Sequence, residues 1–418
     1  MKKKHTCLRL VAAVLCLLTL AGCTGQTPSA TESQTTTVPS SQAPSTEPTT
    51  EPSAPSTEAT EPSTEATEPS TEATEPSTEP STEPSTEATE PSTEPTEPQP
   101  VITQITMSFV GDCTLGSNQK HSYENSFHEY YDKYGPDYFL KDVRSIFEKD
   151  DITVINLEGS LTTSTDIQDK KWNHKGDPEY VQVLTGSSVE VATMANNHRL
   201  DYGVSGFEET MDTLDKAGID YCYNDVFVIY EVKGIKIGIV SVSVSTDWTK
   251  IFDYLEEGEE YLRQQGCAAL VCCVHWGGQK TPVLNQSQRD FGPQIIDMGY
   301  DLVVGNHPHV LQAMQVYKGK FICYSLGNFC YGGNKNPDDK DSGIFQQTFT
   351  FVDGQLMPDI NARFIPCWLS STQSKNDYQP TLVYGDEFKR IIKKINGYSK
   401  EFGFAWNDAG YFVQSEED

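Results

Sequence analysis

Three hydropathy regimes follow one another along the 418 residues. Near the start, one apolar run (residues 10–20) follows Lys2, Lys3, Lys4 and Arg9. A membrane-spanning helix needs about 20 apolar residues, so this shorter run behind a basic flank predicts the h-region of a signal peptide. Across residues 24–100 apolar positions almost vanish. From residue 101 onward, short β-rich runs alternate with longer amphipathic stretches. The period-2 and apolar runs predict strands at 105–110, 152–156, 189–194, 235–244, 268–274, 301–304 and 321–324. The 3.6-residue pattern predicts helices at 138–149, 203–217 and 286–298. Strands separated by helical patterns imply an α/β sheet with helical layers packed on it.

Composition defines the middle regime. Residues 24–100 are Thr, Ser, Pro and Glu in repeating blocks, with no aromatic residue, Lys or Arg. Such a chain has nothing to bury against its conformational entropy, which predicts a disordered stalk. Its prolines and mutually repelling glutamates extend it. At about 3.1 Å per residue in polyproline II its reach is on the order of 200 Å. Before it stands Leu20-Ala21-Gly22-Cys23, which resembles a bacterial lipobox. That resemblance implies cleavage before Cys23, a diacylglycerol on its thiol, and export to the outer face of a cytoplasmic membrane; the long reach of the stalk suits the thick wall of a Gram-positive cell. The alternative is an ordinary signal peptide with an incidental cysteine.

Charge narrows the partners. Residues 27–100 hold 15 Glu and no Lys or Arg, which leaves −29 − (−15) = −14 for the rest of the chain. An acidic domain argues against nucleic acid, which calls for a basic face. Cys113, Cys222, Cys267, Cys272, Cys273, Cys323, Cys330 and Cys367 sit in or beside apolar runs, without a CxxC pair or Cys/His zinc spacing. They are expected to be buried free thiols, since a domain of about 300 residues needs no covalent staples.

Candidate chemistry falls at the strand ends. Asp112 follows the first predicted strand, Glu158 the second, Asn197 and His198 the third, His275 the fifth, and His307 and His309 the sixth. Ligands of open α/β sheets bind outside the carboxyl ends of the strands, and these side chains are metal-capable. Each element alone is weak: Gly111-Asp112 suits a turn, and His275 suits a core histidine. His307-Pro308-His309 is stronger, because the proline holds two imidazoles rigidly apart.

Together the pieces FVGDCTLG (109–116), INLEGSLTT (155–163), MANNHRLDYG (194–203), VHWGG (274–278), GNHPHVLQ (305–312) and YSLGNFCY (324–331) resemble the CapA family of poly-γ-glutamate capsule biosynthesis. That family lies within the calcineurin-like metallophosphoesterases. The resemblance covers about residues 105–331. It implies an α/β fold, a central β-sandwich flanked by helices, with two divalent metals (Mn, Fe or Zn) at one edge. It implies Asp112 and His309 on one metal, Asn197, His275 and His307 on the other, and Glu158 near the bridging position. His198 would then act as general acid or oxyanion donor. Lys175 either pairs an anionic substrate group or is a solvated lysine. Asn328 either lines the site or packs a turn. The sequence departs from classical phosphoesterases, with Cys113-Thr114 in place of an Asp-x-His histidine, Glu158 for a bridging Asp, and Arg199 for an acid after the histidine. Two function classes remain: a hydrolase or transferase acting on an anionic envelope polymer or phosphorylated substrate beside capsule-synthesis membrane proteins, and a non-catalytic accessory lipoprotein that binds the polymer. Residues after about 361 are expected to form either a closing strand pair with a helix, or a lid.

Overall fold

The computed structural model describes residues 99–244 and 249–413. The signal segment, Cys23 and nearly all of the stalk lie outside the described residues. Those that are described belong to one compact unit, and none of their helices is long and apolar enough to cross a membrane.

Two large sheets carry the domain. The first runs in the order Thr381–Leu382, Asn361–Trp368, Asp341–Val352, Ile102–Thr114, Ile152–Leu157, Val191–Thr193, Asp220–Cys222. The second runs Met314–Tyr317, Lys320–Cys323, Leu302–Asn306, Ala269–His275, Ile235–Ser243, Val228–Val232. In the second, the Ile235–Ser243, Ala269–His275 and Leu302–Asn306 strands are parallel and buried on both faces, so they read as continuous apolar runs.

Side-chain alternation assigns the layers. Within Ala269–His275, Ala269, Val271 and Cys273 join Met107, Phe109 and Val154 of the first sheet in one core. Leu270, Cys272 and Val274 face the opposite way, onto Leu255, Leu262 and Ile295. These last belong to the helices Ile251–Gln264 and Gln286–Asp297. The outer face of the first sheet, with Ile155 and Leu157, packs on Phe127, Phe139, Phe147 and Leu214. The result is the helix-flanked β-sandwich expected above. Burial at about 25 cal/mol per Å² of apolar surface drives both interfaces.

The helix at Gly203–Ala217 and the one starting at Gln286 lie where the periodicity places them. The expected helix at 138–149 does not form. Phe139, Leu140, Val143 and Phe147 are buried at helical spacing, but the chain reaches them through turns and only Arg144–Phe147 is α-helical. The helix Ile251–Gln264 went unpredicted. The C-terminal stretch closes the fold and is not a lid. Its strands extend the first sheet, and Trp406 is buried, stacked on Phe321 at 5.7 Å. All eight cysteines of the described residues are buried and free.

Candidate metal centre

The site forms where the carboxyl ends of both sheets' parallel strands meet. Asp112 lies inside Ile102–Thr114, not after it. Pairing with Ile152–Leu157 passes from Phe109↔Val154 to Asp112↔Asn156, three residues against two, and this bulge re-aims the Asp112 side chain. Gly111 permits it, because a Cβ there would stand 2.0 Å from the Gly327 carbonyl oxygen. The Asp112 N–H donates to that oxygen at 2.8 Å, which sets Asp112 beside Asn328.

Glu158 follows the second strand and is wholly buried. Its N–H donates to the Cys113 carbonyl at 2.9 Å, and its carbonyl accepts from Thr114 Oγ1 at 2.9 Å. Thr114, standing where a histidine ligand is absent, therefore anchors the Glu158 backbone. Cys113 belongs to neither group that could hold a metal, and burial pushes its thiol up to about 12.

Two ligand groups converge on Glu158. Glu158, His275 and His307 bring one atom each within 4.8 Å of one another, and so do Asp112, Glu158 and His309. In the first group His275 Nε2 faces His307 Nδ1 at 2.9 Å, Asn197 Oδ1 at 2.7 Å and Glu158 Oε1 at 3.7 Å. In the second, His309 Nδ1 lies 3.0 Å from Asp112 Oδ2 and 3.8 Å from Glu158 Oε2. The structure thus gathers Asp112, Glu158, Asn197, His275, His307 and His309 at one spot.

The backbone at the histidine pair is unusual. His307 and His309 adopt φ of 99° and 58°, a region costly for residues with a side chain and concentrated at functional sites. In that conformation the His307 N–H reaches both carboxylate oxygens of Asp112 at 3.3 Å.

Electrostatics fits cations in this space. Neither oxygen of the buried Glu158 carboxylate has a hydrogen-bond partner, a costly state that a bound cation would relieve. Burial first, and Asp112 second, push Glu158 up to about 8. Burial, aided by His309, holds His307 down to about 4, and burial and His307 hold His275 well below its ordinary value. Neutral imidazoles are the form that binds metal. Burial opposes charge on His309, but Glu158 and Asp112 outweigh it and raise it to about 9. An excess of buried negative charge therefore already draws in what positive charge it can.

His198 stands beside this pair. Its Nε2 lies 3.9 Å from Glu158 Oε1 and its Nδ1 lies 2.6 Å from Asp201 Oδ2. Burial holds His198 below its ordinary value, with Asp201 opposing. Asp201 is buried, pairs with Lys170 and accepts the His174 N–H at 2.7 Å. Lys170 also donates to the Asn197 carbonyl at 2.6 Å. Asp201 thus orients His198 from three residues on, where Arg199 has no carboxylate to offer. Sequence reasoning missed it, although it lies inside the quoted MANNHRLDYG segment.

Two other missed residues brace the ligands. Asn156 Nδ2 donates to Asp112 Oδ1 at 2.8 Å, and the Tyr331 ring packs 5.1 Å from that of His309. Asn328 Oδ1 contacts His309 Nδ1 at 3.0 Å, so it both positions that ligand and lines the neighbouring cavity.

Lys175 is not brought to the cluster. In the short strand His174–Gly176, adjacent side chains face opposite ways. His174 packs on His198 at 4.1 Å, while Lys175 donates to the Ser164 carbonyl at 3.1 Å and covers the Tyr202 ring.

Comparison with known proteins now becomes specific. Residues 106–332 match the family model described as bacterial capsule synthesis protein PGA_cap. The chain belongs to this family. It is 28% identical over 275 residues to a capsule biosynthesis protein CapA of Bacillus anthracis, covering 58% of this chain and 63% of that one. It is 29% identical over 253 residues to a PGA biosynthesis protein CapA of Bacillus subtilis, covering 54% and 63%. A probable polyglutamine synthesis accessory protein of Mycobacterium tuberculosis is 25% identical over 209 residues, covering 43% and 55%. The chain therefore spans less than two thirds of the length of these relatives. The PGA_cap match, residues 106–332, spans every residue of the cluster and His198.

Proposed function

We propose that this chain is a metal-dependent, hydrolase-like enzyme of the cell envelope. It acts on a poly-γ-glutamate chain, or a related anionic polymer, during synthesis or attachment. The observation that carries this reading is Glu158: a fully buried carboxylate without hydrogen bonds, shared by two three-ligand groups. The names of the PGA_cap relatives supply the polymer. The ligand mixture suits two Mn, Fe or Zn ions, one on Asp112 and His309, one on Asn197, His275 and His307, with Glu158 between them. Such ions supply Lewis acidity and activate water. The protein's own part is to hold the scissile group against the cluster. His198, fixed through Nδ1 by Asp201, keeps Nε2 for proton transfer to the leaving group. Cys23 carries the lipid, and the stalk extends the domain outward from the membrane towards its polymer and the membrane proteins that make it.

A second reading, a polymer-binding accessory lipoprotein with a structural metal, is favoured by the name of the mycobacterial relative. Elemental analysis after Mn, Zn or Fe loading, with hydrolysis of a short poly-γ-glutamate and an aryl phosphodiester, separates the two. The enzyme reading expects about two metals per chain, the dinuclear count, and activity lost in a His275→Ala, His307→Ala double variant. Failure to bind metal under any loading overturns it. Lipid labelling of wild type but not Cys23→Ser tests the anchor.

A further inference from the structure

The His309 imidazole is a wall shared by two spaces. Its Nδ1 faces Asp112, while its Nε2 lies 3.4 Å from Gln279 Nε2, away from the carboxylates. A cavity of about 250 Å³ borders the cluster here, its lining including His309, Asn328 and Tyr331 and, from outside the cluster, Lys280, Asp338, Asp339 and Tyr398.

Two charges on this cavity are unanswered among the described residues. Lys280 is exposed, and its ammonium makes no hydrogen bond or ion pair among the described residues. Its backbone is nonetheless fixed, with φ of 58° and its N–H donating to the Pro308 carbonyl at 2.8 Å. Asp338 is exposed and equally unpaired, whereas its neighbour Asp339 is matched by Lys394 at 2.7 Å. The cavity therefore presents one uncompensated cation and one uncompensated anion beside two phenol rings.

A ligand that satisfies both charges carries a carboxylate and an ammonium on one small skeleton. A phosphodiester offers negative charge only, which Asp338 repels. An interior unit of a γ-linked glutamyl chain offers a carboxylate, but its nitrogen is an amide. The amino-terminal unit alone holds a free α-carboxylate and a free α-ammonium on the same carbon. We propose that this cavity binds the amino-terminal residue of a γ-glutamyl chain, its α-carboxylate on Lys280 and its α-ammonium on Asp338. The site then recognises a chain end and not the chain interior. This rests on the γ-glutamyl reading above and adds to it the end that is recognised.

The test is calorimetric binding to the Mn-loaded full chain at low ionic strength, where exposed charges are least screened. The probes are γ-linked triglutamate with a free amine and the same peptide N-acetylated. The free-amine peptide binds about tenfold tighter, the effect of one charge-assisted contact. Asp338→Asn removes that preference by weakening the free-amine peptide alone. Lys280→Ala weakens both peptides. Both side chains are exposed, so the variants keep their fold, checked by unchanged metal content. Equal binding of the two peptides by wild type, or a preference that survives Asp338→Asn, overturns the chain-end assignment and leaves the γ-glutamyl reading standing. Binding of neither peptide overturns both.

Discussion

Replacing Glu158 by glutamine separates a carboxylate kept for metal from one kept for the fold. Without metal, the buried Glu158 carboxylate has no hydrogen bond, and burial and Asp112 raise it from 4.5 to about 8. The proton is thus held more tightly folded than unfolded. The associated stability is full below about pH 4.5 and is lost as pH rises through 8. At about 1.4 kcal/mol per pH unit, the loss is on the order of 4 kcal/mol. Glutamine has no proton to lose in this window, so at pH 8 the chelator-treated Glu158→Gln variant should be the more stable protein. Metal reverses the order once it stands above about a thousand times its Kd, where it adds more than roughly 4 kcal/mol to the protein that binds it. Urea denaturation at pH 5 and pH 8, each with EDTA and with excess Mn, measures both halves. A Glu158→Gln variant less stable than wild type in EDTA at pH 8 would refute the reasoning, because Glu158 would then be holding the fold together.

Further outcomes follow from other contacts. Asp201→Ala strands Lys170 and frees His198, and should cost roughly 3 kcal/mol in denaturation; Asp201→Asn should keep the fold and metal content but lose turnover. Gly111→Ala drives a Cβ against the Gly327 carbonyl, and should cost on the order of 3 kcal/mol together with metal affinity, read by thermal denaturation and elemental analysis. Burial raises Glu190 to about 7, although its carboxylate accepts the Thr153 N–H. Its contribution is therefore full below about pH 4.5 and lost as pH rises to 7, a change on the order of 3 kcal/mol that Glu190→Gln should abolish in pH-dependent urea denaturation.

The sequence by itself determined most strands, two of the helices and most of the polar strand ends. Fully buried parallel strands must be apolar throughout, so the polar residues that end them stand out: Glu158 after Leu157, His275 after Val274, and His307 and His309 after Gly305-Asn306. The buried cysteines and the α/β class were legible for the same reason, since local hydropathy reports burial directly. Tertiary structure decided what depends on two segments meeting. That Glu158 serves both ligand groups follows from two sheets converging at one edge. Asp201 as the support of His198 required the loop carrying Lys170 to fold over it. In the three-residue strand His174–Gly176, alternation says only that His174 and Lys175 face opposite ways. Which of them meets His198 was set by the sheet packed against it, because a short strand has too few residues to mark its inner face in sequence.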